Sequence, residues 1–306
     1  MHTSQGDSAF FHTPKGPMVL GEGPIYRSSD STLLLVRLSF ISGRALHYVR
    51  VIPLADSGTV ACFRKNKPGS YIAAYYQGVC FLDEQTGAGR IDVVKEIIPA
   101  SQRDELRFND GGGALACGAN ALPADYGRPK GRLWRRYDPD GSLHLMIDGG
   151  IMCGNGLAWS PDNETMYMND SVGQVVYAFD FDLATGMLSN QRILVDRRDS
   201  CGEPDGMIVD TQGNLWIAVY ASSRMMVFSP EGEQLEEIVF PAKNVACTTW
   251  GGRNHDILYV ASAVDTATDT TTDEGGHMFM YRGQARGRPS MSLAGENLSQ
   301  VHSPST

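Results

Sequence analysis

No stretch of this 306-residue chain stays apolar for the ~18 residues that a membrane-spanning helix needs, so that class of protein is excluded. The opening MHTSQGDSAFFHTPKG has no basic segment leading into an apolar one, and no secretory leader is expected from it. Cysteine is sparse and scattered: Cys62, Cys80, Cys117, Cys153, Cys201 and Cys247 form no C-x-x-C pair and no zinc-ligand spacing. Reduced thiols and a cytoplasmic location are the expectation. Positive charge is also short. A formal net charge of −9 argues against nucleic acid or an anionic membrane as partner and leaves a small molecule, with oligomeric state unread. P-loop, dinucleotide-binding and serine-nucleophile motifs are absent. Helical periodicity is nearly absent too; only IDVVKEIIPASQRDEL (91–106) supports a helical reading.

What is present is a succession of apolar runs of four to seven residues, broken by turn chemistry and supplied with 34 glycines and 15 prolines. With 42% hydrophobic residues the chain has ample material for a core. Three units resemble one another: LAWSPDNETMYMNDS (157–171), MIVDTQGNLWIAVY (207–220) and CTTWGGRNHDILYVASA (247–263). Each is strand, turn, strand, and each of the first two runs into a further strand, VVYAFDFD (175–182) and MMVFSPEG (225–232). Units of about four strands recurring every ~40–50 residues predict an all-β, six-bladed β-propeller, with five or seven blades also compatible. The expected layout is an N-terminal segment over 1–17, the propeller over 18–284 and a polar, flexible tail over 285–306.

A propeller aims the start of each blade's first strand at a common axis. Four polar residues recur at such starts: Glu22 in LGEGPIY, Asn109 in RFNDGGG, Asn155 in GNGLAWS and Asp205 in EPDGMIV. Each stands at or beside a glycine-containing turn, and each alone is an ordinary turn signal. Their separations of 87, 46 and 50 positions match two, one and one blade. Two carboxylates and two amides on one axis predict an all-oxygen site, which suits Ca²⁺, Mg²⁺ or Mn²⁺ better than zinc.

These motifs, L-G-E-G-P, R-F-N-D-G, N-G-L-A-W-S-P-D and P-D-G-M-x-x-D-x-x-G-N-L-W, together resemble the SMP-30/gluconolactonase/luciferin-regenerating enzyme family over residues 18–283. The resemblance implies a six-bladed propeller of divalent-metal-dependent lactonases. It implies metal ligation by Glu22, Asn155 and Asp205, with one divalent cation, Ca²⁺ first and Mg²⁺, Mn²⁺ or Zn²⁺ as alternatives. It also implies contacts to substrate or metal-bound water from Arg107 and Asn109. In the chemistry this supports, Asp205 accepts the proton of an attacking water, Asn109 helps stabilise the oxyanion and Arg107 anchors the substrate.

The stretch NDGGGALACGANALPADYGRPKG (109–131) departs from the family pattern, lacking its Asp-Pro and Trp, with Asn120 where the family has a substrate-facing methionine. Sugar-lactone specificity is therefore open. A metal-dependent isomerase, cyclase or ring-opening enzyme of a biosynthetic pathway is the alternative, an organophosphate hydrolase a weaker variant, and a calcium-binding or scaffold propeller without catalysis the third reading. Cys153 and Cys201 lie near the motifs, but a thiol nucleophile needs a histidine, and no motif contains one. His47 and His255 read as strand and turn residues, and Trp159, Trp216 and Trp250 as blade core.

Overall fold

The computed structural model describes residues 2–6, 8–9, 18–37, 58–64, 67–84, 92–103, 105–112, 115–116, 119–121, 128–137, 142–266, 272–289 and 292–293. Among them the chain is all-β, and its helical content is one 3₁₀ turn, Ala100–Gln102. The helical reading of 91–106 is corrected: Asp92–Glu96 is a strand, paired with Gly78–Asp83. Two adjacent β-branched valines favour the pleat, and Pro99 sets an extended N-cap (φ −65°, ψ 151°) ahead of the short turn. His47 lies outside the described residues.

Four sheets carry four or five strands each, in a propeller-like arrangement. The clearest runs in plain up-and-down order through Gly154–Trp159, Thr165–Asp170, Val175–Phe181 and Leu188–Asp196. The next is built on Glu203–Val209, Leu215–Tyr220, Arg224–Phe228 and Gln234–Val239, and His2–Gln5 adds a fifth strand parallel to its outer edge. The other two start from Gly58–Arg64 and Gly111–Gly112. Smaller sheets begin at Gly21–Arg27 and Asn244–Gly251.

Burial within a sheet is graded in the way the residue pattern dictates. First strands such as GNGLAW and NVACTTWG are buried at every position, because they have protein on both faces. Outer strands such as LSNQRILVD are mostly exposed. The first strands also lie against one another in chain order: Gly21–Arg27 on Gly58–Arg64, then Gly111–Gly112, Gly154–Trp159, Glu203–Val209 and Asn244–Gly251, the last returning to Gly21–Arg27.

Apolar clusters fill the gaps between sheets. Trp216 and Ala218 pack with Val245, Trp250, Leu258, Val260 and Phe279 of the following sheet. Leu215 and Ile217, on the opposite face of the same strand, pack with Ala158, Tyr167 and Val176 of the preceding one. Trp159, Trp216 and Trp250 are thus core residues, 8%, 3% and 1% exposed, and the last two meet edge to face at 5.1 Å. Of the stretch 285–306, residues 285–289 and 292–293 are described: the Gly287 amide donates to the His255 carbonyl at 2.8 Å, Asp210 bridges Gly287, and Ser292–Leu293 pairs in parallel with Phe63–Arg64.

Candidate functional site

The same local irregularity shapes three of the four motifs. In the ladder between Gly21–Arg27 and Thr32–Arg37, pairing skips from Glu22 to Ile25. Between Gly154–Trp159 and Thr165–Asp170 it skips from Asn155 to Leu157, and between Glu203–Val209 and Leu215–Tyr220 from Pro204 to Met207. A bulge at this position turns a side chain out of the strand's alternation and toward the axis. The glycines beside the polar residues are therefore packing requirements. Gly156 has φ +25°, and a β-carbon on it would strike the Asp205 carbonyl and the Asn169 amide. A β-carbon on Gly206 would lie 2.5 Å from the Cys247 sulfur. At these two bulges the neighbouring blade comes too close for any side chain but glycine's.

Hydrogen bonds then lock the frame. Asn155 Nδ2 donates to Ser171 Oγ (3.2 Å), whose hydroxyl donates to the Pro204 carbonyl (2.7 Å), and Asn155 Oδ1 accepts from the Gly156 amide (2.9 Å). Asn169 Nδ2 donates to the Asp205 carbonyl (2.5 Å). Asp170 accepts from the amides of Met152 (2.9 Å), Cys153 (2.8 Å) and Gly173 (3.1 Å), which fixes the strand entering Asn155. Arg107 Nη2 donates to Asn109 Oδ1 (3.0 Å), and Asn109 Nδ2 donates to the Gly154 carbonyl (3.1 Å). Arg107 and Asn109 are thereby joined to the Asn155 strand.

Electrostatics identify which acids share the space. Burial, then the charges of Glu22 and Asp110, push Asp205 well above the usual carboxylate range, against the easing effect of the Asn155 amide. Glu22 is pushed up to about 8 by burial and by Asp110, with Arg107 opposing. Asp110 is raised to about 6 by burial, against the amides of Gly111 and Gly156. Asp205 is 5% exposed, and its Oδ1 is buried with no hydrogen-bond partner among the described residues. Three carboxylates are thus crowded together and one oxygen is left unsatisfied, an arrangement that costs free energy unless something positive fills it.

Of the residues expected from sequence, the structure brings Glu22, Asn155, Asp205, Arg107 and Asn109 to this end of the first strands. Asn120 pairs opposite Arg107 in the short ladder Leu106–Phe108 with Ala119–Ala121. The acid contributed by the R-F-N-D-G segment is Asp110, which sequence reasoning passed over for its neighbour; its signal was the second polar residue of the same N-D-G turn. Two thiols also lie here. Burial first, then Glu22, Asp110 and Asp205, push the Cys247 thiol well up, and burial with Asp205, Asp170 and Glu203, against Ser171, takes Cys153 to about 12. Both stay protonated, which removes them as nucleophiles at neutral pH. His255, at φ +51°, sits in the turn expected for it. Among the described residues no three His, Cys, Asp or Glu side chains are placed to hold a metal ion by themselves. No helix there is long and apolar enough to cross a membrane.

Residues 20–264 match the family model described as the SMP-30/gluconolactonase/LRE-like region. Regucalcin of Oryctolagus cuniculus is 30% identical over 296 residues, covering 90% of this chain and 95% of the relative. Regucalcin of Gallus gallus is 31% identical, over 80% and 84%. Among solved structures, a luciferin-regenerating enzyme superposes with a TM-score of 0.74 at 22% identity, over 94% of this chain and 99% of that one. A calcium-binding protein, regucalcin, from Agrobacterium tumefaciens superposes with a TM-score of 0.77 at 18% identity, over 96% and 99%.

Proposed function

The chain belongs to the SMP-30/gluconolactonase/LRE-like family, and on that premise we propose that it is a divalent-metal-dependent hydrolase of small cyclic esters, a lactonase. The proposal includes six blades, supported by the six first strands that touch in chain order and return to the start. It includes a cytoplasmic setting and a small-molecule lactone as the partner. The observation that carries it is the partnerless, buried Asp205 Oδ1 beside Glu22 and Asp110.

A divalent cation fits this donor set. Glu22, Asn155 and Asp205 offer hard oxygens, the amide adds a carbonyl without adding charge, and two hydrogen bonds already orient that amide. Ca²⁺ is the first choice, and the name of the Agrobacterium neighbour as a calcium-binding protein points the same way. Bound there, the cation supplies Lewis-acid polarisation of the ester carbonyl.

The chain's own residues supply the rest. Asp205, whose Oδ1 has no hydrogen-bond partner among the described residues, accepts the proton of the water that attacks the carbonyl. Asn109 spends one amide hydrogen on the Gly154 carbonyl and keeps the other for the developing oxyanion. Arg107 spends one N–H on Asn109 and keeps the remainder to anchor substrate oxygens. Asn120, opposite Arg107 in the ladder, belongs to the wall that reads the substrate.

The test is hydrolysis of a lactone panel by purified protein, with EDTA, with Ca²⁺, Mg²⁺, Mn²⁺ or Zn²⁺ restored, and with Asp205→Ala. Activity lost to chelator and to the substitution supports the reading. Metal binding through Asp205 without any lactone opening overturns the hydrolase and favours a redirected, non-hydrolytic reaction, which the departure of 109–131 from the family pattern would accommodate.

A further inference from the structure

Tyr220 is the last residue of the strand Leu215–Tyr220, whose burial runs unbroken until Tyr220 itself, which is partly exposed. The strand ends at the same end of the propeller where Glu203–Val209 begins, because the two are antiparallel and Tyr220 pairs with Glu203, two residues before Asp205. Side chains alternate along a strand, so Tyr220 shares a face with Ala218 and Trp216. That face packs on the sheet that starts at Asn244.

At the matching end of that sheet stands an ion pair: Lys243 Nζ donates to Asp265 Oδ2 at 2.8 Å, with Asp265 only 7% exposed. Tyr220 therefore rises between two blades, with Glu203 and Asp205 on one side and Asp265 on the other. The chain turns sharply just beyond it, with Ala221 at φ +59° and Ser223 at φ +62°. Gly202 packs so close to the Tyr220 carbonyl (2.6 Å to where its β-carbon would be) that this corner is set by backbone. The phenol is enclosed enough that burial, then Asp205, Glu22, Asp265 and Glu203, push it up to about 12, so it remains a donor across the working pH range. No hydrogen bond occupies its hydroxyl among the described residues.

A partly exposed phenol whose donor is unused, beside Asp205 and Glu203, is poor packing design and good recognition design. Resting on the lactonase reading above, we propose that Tyr220 is a substrate-positioning residue whose hydroxyl donates a hydrogen bond to a hydroxyl substituent of the lactone ring.

The experiment compares Tyr220→Phe with the unaltered, metal-loaded protein on two substrates of the same ring size: a polyhydroxylated δ-lactone and bare δ-valerolactone. The expected result is a KM about tenfold higher for the hydroxylated lactone, with kcat within about twofold and δ-valerolactone unchanged, the size of one lost hydrogen bond. Equal effects on both substrates, or none on either, overturn the assignment. A melting temperature within about 2 °C of the parent separates a positioning role from a structural one, and a larger fall overturns the assignment. Should the parent open no lactone, binding of the non-hydrolysable polyhydroxylated lactam, measured by calorimetry, decides Tyr220 separately from the reaction. Tenfold weaker lactam binding by Tyr220→Phe then supports the residue while the hydrolase reading fails. No lactam binding by the parent overturns both.

Discussion

Asp205 and Asp210 are five positions apart in one hairpin, both are buried, at 5% and 1% exposed, and both lie next to turns rich in glycine. Their surroundings are opposite. Asp210, at the hairpin end, has every oxygen used: Oδ1 accepts from the amides of Gln212 (2.8 Å) and Asn214 (2.9 Å), and Oδ2 from Asn214 Nδ2 (2.9 Å) and Trp216 Nε1 (3.0 Å). Asp205, at the channel end, leaves Oδ1 with no donor and sits among like charges. One acid closes a turn and stabilises the fold; the other is held ready at a cost to the fold. The difference teaches that a buried acid is diagnosed by what satisfies it, not by its burial or its local sequence.

Substituting the two acids gives the widest separation. Asp205→Ala is expected to lower kcat/KM on any lactone turned over by about 10³-fold or more, from loss of base and ligand together, while the metal-free protein melts no lower than its parent. Asp210→Ala is expected to do the reverse, costing about 3 kcal/mol in denaturant unfolding by stranding the Trp216 and backbone donors, with kcat of the folded fraction retained. Similar effects of both substitutions on activity and stability would erase the contrast.

Next in size is Gly156→Ala. A β-carbon there meets backbone of the Asp205 strand and strains a positive φ, so a loss of about 2 kcal/mol in stability should come together with weaker metal binding in titration calorimetry. The carboxylate cluster also predicts a pH dependence of the metal-free protein. Glu22 rises from 4.5 to about 8 on folding and Asp110 from 3.8 to about 6, so between those values the folded chain holds more protons than the unfolded one. Stability must then fall as pH rises through roughly 3.8 to 8. Thermal melts in EDTA should show that fall, and Glu22→Gln should flatten its upper part; a melting temperature rising across the window would contradict the crowding of these acids. The smallest effect belongs to Asp162, exposed in the S-P-D-N turn and held low by Ser160 and the Glu164 amide. Asp162→Asn should move the melting temperature by no more than about 2 °C and leave activity alone.

Much of the fold was legible because blades are built from local patterns. Apolar runs of strand length, the turns S-P-D-N and D-T-Q-G-N and their spacing located the hairpins at 157–171, 207–220 and 247–263, and each is a hairpin in the structure. The stretch 91–106 was misread because its apolar spacing is ambiguous over so few residues, and pairing with Gly78–Asp83 settled Asp92–Glu96 as strand. Glu22, Asn155 and Asp205 were legible through their glycines and their period. Cys247 carried no such signal, since it comes against Gly206 and the carboxylates through packing between blades.

The pair Asn109–Asp110 marks the boundary between the two kinds of information. The order of strands and turns, and the polar residues that stand beside glycine where first strands begin, are properties of short segments, and composition and periodicity determined them. Which of two adjacent polar residues meets Glu22 and Asp205 was decided only by tertiary structure. Neighbours on an extended chain point to opposite sides, and a single bulge or a one-residue change of register exchanges them. Asn109 is held by Arg107 and the Gly154 carbonyl, while Asp110 is left to share its charge with two acids from distant blades.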